Sequence, residues 1–134
     1  MKGTHRVHIK DLDHLVLTTE NLDKCLDFYV NILGMKHIEK NARHALYFGN
    51  SKINIHTKPG EFQPAAAKPL SGSLDLCFVV DNLDEARKEV LATGYPLETD
   101  IVERNGACGP MFSFYLRDPD KNLIELCSYT KSTQ

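Results

Sequence analysis

The sequence lacks the features that would assign it to several broad classes. No apolar run approaches the roughly 20 residues a membrane-spanning helix needs, so no membrane partner is expected. No block of Lys or Arg occurs either. With 16 basic against 18 acidic residues the net charge is −2, and nucleic acid is not expected as a partner. The four cysteines, Cys25, Cys77, Cys108 and Cys127, include no Cys-x-x-Cys pair. Three of them sit among apolar neighbours, as buried free thiols do, and no disulfide framework is needed. Met1 to Arg6 lead into alternating sequence rather than a signal-peptide core, so a cytoplasmic location is expected. Gly and Pro are modest at 8 and 6. What is present is ordinary for a soluble protein: 134 residues, 42% hydrophobic and 25% charged. One domain over 1–134 should bury a core without metal staples, so a metal would serve chemistry rather than folding.

Periodicity then divides the chain. Leu12 to Thr18 reads as a strand, followed by a helix with Asn21 as N-cap, a stripe from Leu22 to Leu33, and Gly34 as its stop. Strands are expected at Lys36 to Lys40, His44 to Phe48 and Lys52 to His56. A Pro- and Ala-containing linker comes next, over about 58–72. The pattern then repeats: a strand at Ser73 to Val80, a helix at Asn82 to Thr93 stopped by Gly94, and strands at Glu98 to Glu103, Met111 to Leu116 and Asn122 to Tyr129. Gly106 and Gly109 mark the surroundings of Asn105 to Pro110 as a flexible loop.

The chain is thus a duplication, α+β in class, of two paired β-α-β-β-β modules over about 12–57 and 73–129, forming a cupped mixed sheet. Glu20-Asn21-Leu22-Asp23 matches Asp81-Asn82-Leu83-Asp84 at an offset of 61, with one gap at the helix end. The last hairpins match at an offset of 69, which sets His56 against Glu125. Overlaying the copies picks out His14 and Asp75 in the first strands and His56 and Glu125 in the last. Strand alternation puts His14 on the face of Val16 and Thr18, and His56 on that of Asn54. It puts Asp75 beside Cys77, and Glu125 beside Leu123 and Cys127. Carboxylates on such a face ask for a cation, and imidazoles beside them favour Zn, Mn, Fe, Ni or Co over Ca or Mg.

The duplication, together with Asp13-His14-Leu15-Val16-Leu17, Phe28-Tyr29 ahead of Leu33-Gly34-Met35, and Arg117-Asp118-Pro119-Asp120-Lys121-Asn122-Leu123-Ile124-Glu125-Leu126, resembles the vicinal oxygen chelate superfamily. Glyoxalase I, fosfomycin-resistance proteins, bleomycin-binding proteins and extradiol dioxygenases belong to it, as do short virulence-associated members. The resemblance covers roughly Leu12 to Tyr129. It implies a homodimer with one divalent metal per site, His14, His56 and Glu125 filling three metal positions. Asp75 stands at the fourth, where glyoxalase I has His or Glu. For Asp75 direct ligation, ligation through water, and a capping or Arg-pairing role all stay open.

The implied activity is glyoxalase I-like, a lyase or isomerase reaction of the lactoylglutathione lyase type on a small vicinal-dioxygen substrate. Glu125 or Asp75 would be its base. Two alternatives share the frame: extradiol ring cleavage at a site of two His and one carboxylate, and a non-catalytic binding cleft of the bleomycin-resistance kind. Arg43, Arg104, Arg117 and Lys121 are the cations available for an anionic substrate. His5, His8, His37 and His44 read as ordinary side chains.

Overall fold

Asn21 and Asn82 open the two helices in the same way. Each side-chain Oδ1 accepts a hydrogen bond at 3.0 Å from the backbone N–H three residues on, that of Lys24 or Glu85. In the computed structural model, which describes residues 6–130, β1 (His14–Thr18) leads into α1 (Leu22–Leu26). β2 (Lys36–Lys40), β3 (Arg43–Phe48) and β4 (Ser51–His56) complete the first half. The second half runs β5 (Asp75–Val79), α2 (Leu83–Ala92), β6 (Thr99–Gly106), β7 (Gly109–Arg117) and β8 (Leu123–Ser128). His5 lies outside the described residues, and His8 is exposed.

The expected one-residue gap at the helix end has a structural form. After α1 the chain continues as a π-helical segment, Asp27–Ile32, in which Leu33 N–H reaches back five residues to Phe28 C=O at 3.1 Å. A π turn is an α-helix holding one extra residue, so the first half absorbs its insertion without moving either end. Both helices finish on a left-handed glycine, Gly34 at φ +77° and Gly94 at φ +84°.

The strands form two four-stranded mixed sheets: sheet A in the order β1-β4-β3-β2 and sheet B in the order β5-β8-β7-β6. In each, the first and last strands of a half pair in parallel and the rest antiparallel. One face of each sheet points inward. Leu17, Leu46, Ile53 and Ile55 from sheet A meet Phe114, Leu116, Ile124 and Leu126 from sheet B, with Phe28, Tyr29, Leu83 and Val90 from the helices, in one core. Phe48 and Phe78 join the halves edge to face, centroids 5.1 Å apart.

The register corrects the repeat alignment in the last strands. Thr19 N–H donates to His56 C=O and Val80 N–H to Cys127 C=O, both at 2.8 Å. The offset there is therefore 71, not 69. His56 is the counterpart of Cys127, and Glu125 that of Asn54. A longer turn accounts for part of the shift: Phe48 pairs with Ser51 across Gly49-Asn50, whereas the second half inserts Pro119-Asp120-Lys121.

Two further expectations change. Asn105 to Pro110 is an extension of the β6–β7 hairpin, paired as far as Gly106 and Gly109, and not a flexible loop. Its tip is tied down, because Cys108 N–H donates to Tyr129 Oη at 3.1 Å. A Cβ on Gly106 would collide with that hydroxyl, so only glycine lets the tip lie against it. Of the cysteines, Cys25 and Cys127 are buried but Cys77 is exposed, as is Cys108. Cys77 lies on the outer face of sheet B, on the edge strand β5.

The signature Asp118-Pro119-Asp120-Lys121-Asn122 joins the halves. Asp118 is 3% exposed; its carboxylate accepts from Tyr29 Oη at 2.7 Å, Asp120 N–H at 2.9 Å, and both Asn122 N–H (2.9 Å) and Asn122 Nδ2 (2.8 Å). Asp120 accepts from Thr19 Oγ1 and from Glu20 N–H ahead of α1. A turn of the second half thus holds the helix entry and the helix of the first.

Candidate functional site

Strand alternation places all four candidate residues on outward faces, two on each sheet. On sheet A, His14, Val16 and Thr18 of β1 lie beside Lys52, Asn54 and His56 of β4. On sheet B, Asp75, Cys77 and Val79 of β5 lie beside Leu123, Glu125 and Cys127 of β8. Register separates them differently within each sheet. Asp75 is opposite Leu123 and Glu125 opposite Cys77, so the two carboxylates are diagonal neighbours, about 7–8 Å apart at Cα. His14 is opposite Lys52, but His56 is opposite Thr18, four residues further along, or about 13 Å. His14 and His56 are therefore not brought to one point, and Asn54 holds the place diagonal to His14. Among the described residues, no three His, Cys, Asp or Glu side chains of the chain gather around a common centre.

Each candidate has a distinct setting. His14 is exposed, with Nδ1 bonded to Asp13 Oδ1 at 2.8 Å, which orients the ring and leaves Nε2 outward. Asp75 is exposed on the first residue of β5. Glu125 is half-buried, and its Oε2 is shielded from solvent without a hydrogen-bond partner. Such an oxygen is costly unless a cation or donor meets it. His56 is 7% exposed, and its Nδ1 is likewise buried and unpartnered.

Around Glu125 the environment suppresses competing ionisation. Burial pushes the Cys77 thiol up to about 12, with Cys127 and Glu125 adding to the shift, because the sulfur tucks against both even though the residue is exposed. The thiol stays protonated and is no nucleophile at neutral pH. Tyr115, opposite Glu125, is raised by burial; Arg104, whose Nε donates to its hydroxyl at 3.0 Å, lowers it, and Glu125 raises it further.

Sequence reasoning left four cations undifferentiated, and the fold sorts them. Arg117 pairs with Glu98 at 3.4 Å, Arg104 serves Tyr115, and Lys121 occupies the left-handed corner of a turn at φ 72°. Arg43 lines a cavity of about 560 Å³ together with His14 and His56. The linker, through Phe62 and Pro64 to Leu70, forms the cavity's opposite wall. Sequence reasoning gave that segment no role. Its one detectable signal was an aromatic residue in an otherwise small and polar stretch.

The faces also differ in charge. The outer face of sheet A carries Lys36, Lys40, Arg43 and Lys52 and no carboxylate, whereas that of sheet B carries Asp75 and Glu125 together with Arg104 and Arg117. Both are partly apolar and open, with Val16 43% and Val79 68% exposed on the edge strands β1 and β5. No helix among the described residues is long and apolar enough to cross a membrane.

The comparisons agree with this geometry. The chain is 47% identical over 126 residues to glyoxalase domain-containing protein RDO1 of Mycosarcoma maydis, covering 92% of this chain and 71% of that one. It is 42% identical over 123 residues to virulence protein STM3117 of Salmonella typhimurium, covering 90% and 85%. The crystal structure of STM3117 superposes with a TM-score of 0.89 at 40% identity, over 92% of this chain and all of that one. A lactoylglutathione lyase from Agrobacterium tumefaciens shares the fold, with a TM-score of 0.71 at 21% identity over 90% and 94%. Residues 11–126 match the family described as the Glyoxalase/Bleomycin resistance protein/Dioxygenase superfamily, and with two repeated β-α-β-β-β halves presenting their polar faces outward, the chain belongs to it.

Proposed function

We propose that this protein is a cytoplasmic, metal-dependent lyase or isomerase of the glyoxalase type, acting as a homodimer on a small molecule with two adjacent oxygens. Its site is composite: sheet A of one copy faces sheet B of the other. The observation carrying this reading is that His14 lies on one outward face and the Asp75–Glu125 pair on another, each incomplete alone. Supporting it are the carboxylates on the face of sheet B, where that of sheet A has cations and no carboxylate, and the exposed valines on the edge strands of both. A closed pairing of this kind uses each face once, giving two equivalent sites.

The donor set of one imidazole and two carboxylates fits a divalent first-row ion, with His14 Nε2 and the Glu125 and Asp75 oxygens as its ligands. An ion bound there supplies Lewis-acid polarisation of two neighbouring substrate oxygens. The chain's own residues do the remaining work. Glu125 Oε2, buried and unpartnered, is the base that takes the proton from the carbon beside a substrate carbonyl and returns it to the adjacent carbon. Asp75 holds the neighbouring ligand position. Asp13 fixes the His14 tautomer. A two-His, one-carboxylate site for ring cleavage would need His14 and His56 at one ion, which the register does not supply. His56 is left to face the bound molecule.

Complementation tests this reading. His14→Ala and Glu125→Ala homodimers should each lose bound metal by mass spectrometry and lose turnover of the methylglyoxal–glutathione hemithioacetal. Mixed and reassembled, they should regain about a quarter of wild-type sites, since half the dimers are then heterodimers with one intact site of two. No regain would place the site within one chain. Wild type that takes up no Zn, Ni, Mn, Co or Fe would remove the metal reading altogether.

A further inference from the structure

The cavity on sheet A contains a cation and a buried imidazole that the proposed chemistry does not use. Arg43 lies with its guanidinium carbon 4.0 Å above the centre of the Phe62 ring, and among the described residues no side-chain hydrogen bond or ion pair engages its nitrogens. His56 meets the same ring edge to face at 5.2 Å, with Nδ1 buried and unpartnered. Phe62 thus clamps both groups at the same cavity wall. Stacking on an aromatic face holds the planar fork of an arginine while leaving its N–H edge free. A buried imidazole nitrogen without a partner is a donor or acceptor awaiting one. The rest of the wall is mixed: Val16, Pro64, Leu70 and Leu74 give it apolar surface, and Thr18, Asn54 and Gln63 give it polar groups. No carboxylate lines this cavity, and Lys68 adds a second positive charge at its rim.

We infer that this cavity is a carboxylate-recognition subsite. The Arg43 fork takes the terminal carboxylate of a small organic acid, His56 Nδ1 lies within reach of the same group, and the apolar body of the acid lies against the linker wall. Arg is the residue whose donor geometry matches a carboxylate bidentately, and about 560 Å³ suits a molecule of roughly ten to twenty non-hydrogen atoms. The proposal deepens the composite-site reading by giving its substrate class: a vicinal-dioxygen compound that also carries a remote carboxylate. It rests on that reading only for turnover, because Arg43, His56 and Phe62 all belong to one half of one chain.

The test uses full-length protein stripped of metal with a chelator, titrated with 3-phenylpropionate and with its uncharged amide, by calorimetry and by NMR of the His imidazole resonances. The acid should bind about tenfold more tightly than the amide and should shift the His56 signals. Arg43→Gln should remove that preference while leaving the amide affinity unchanged. Arg43→Lys, which keeps the charge but not the fork, should restore only part of it. Arg43 is exposed, so these variants are expected to fold; Lys68→Gln is a further check and should weaken the acid by less than Arg43→Gln. Equal binding of acid and amide, an acid preference that survives Arg43→Gln, or shifts that bypass His56 would overturn the subsite. Failure of the metal reading is seen separately: Arg43-dependent binding of the acid by a protein that takes up no metal leaves the subsite standing and removes the lyase. Metal uptake without acid binding does the reverse.

Discussion

Sheet A and sheet B share one plan strand for strand, and their outward faces carry different chemistry. Sheet A presents His14 and four cations under a wall made by the linker. Sheet B presents two carboxylates, two thiols and, from β6 and β7, Arg104 and Arg117, beside an extended hairpin. The inward faces show no such contrast, since both are runs of Leu, Ile and Phe in one core. The duplicated plan is therefore preserved where packing demands apolar volume and differs where solvent or a partner is met. In the proposed dimer, the His14 face of one copy is set against the Asp75–Glu125 face of the other.

The halves are nevertheless not independent, and the staple between them gives the largest expected effect. Asp118 is buried with four donors on its carboxylate, one of them from Tyr29 in the other half. Asp118→Ala leaves those donors unsatisfied in the core and should cost about 3–5 kcal/mol by urea denaturation. The matching turn of the first half, Gly49-Asn50, holds no such carboxylate. Asn50→Ala should cost less than about 0.5 kcal/mol. Equal effects would remove the staple.

Alkaline pH distinguishes the two helices next. Burial pushes the Cys25 thiol up to about 12, with the Asp118 charge adding to it. Tyr29 is raised for the same two reasons, in the same order. The equivalent of Cys25 in α2 is Ala86, which does not titrate. Both shifts favour the protonated form in the folded state. The Cys25 contribution to stability is complete below the free thiol value near 9 and is lost as pH rises from there to about 12. Denaturation midpoints should fall across that window, and Cys25→Ala should flatten the fall without abolishing it, because Tyr29 remains. A midpoint that holds level to about pH 11 would contradict the assignment.

In the proposed dimer, attraction between the cations of sheet A and the carboxylates of sheet B predicts a smaller change. Lys52→Glu puts an acid on the cationic face, near Tyr47 and opposite His14. The dimer dissociation constant should rise about tenfold at low salt, and by less at about 0.5 M salt, in sedimentation equilibrium. Dissociation that is unchanged, or equally weakened at both salts, would count against opposite faces meeting.

The element plan was legible because caps and stops are local. Asn21, Gly34, Asn82 and Gly94 stand in the sequence at the helix limits they set, and hydrophobic alternation assigned the faces of β1, β4, β5 and β8 correctly. Register was less legible. The offset of 69 rested on resemblance between two turns, while the true offset of 71 depends on which backbone groups pair across β1–β4 and β5–β8. Side-chain identity does not encode that pairing directly. Hence Asn54, not His56, was found in the place of Glu125. Phe62, and the choice of Arg43 among four cations, were hidden for a different reason: their contact joins a strand to an irregular linker, and no periodicity relates the two.

The smallest effect tests whether the two copies really start alike although their helices then diverge. Asn21 and Asn82 share extended backbone, at φ −148° and −132°, and the same 3.0 Å bond to the third helical N–H. Downstream they differ, since α1 turns π-helical after five residues and α2 runs regularly for ten. A cap satisfies a donor of the first turn only, so the later irregularity should not reach it. Asn21→Ala and Asn82→Ala should each cost about 1 kcal/mol, agreeing within about 0.5 kcal/mol, and their double variant should be additive because the caps share no partner. A larger loss at Asn21 is the informative failure. It would mean that the π turn is held in place by helix nucleation upstream, so that the extra residue of the first half depends on its cap in a way the second half does not.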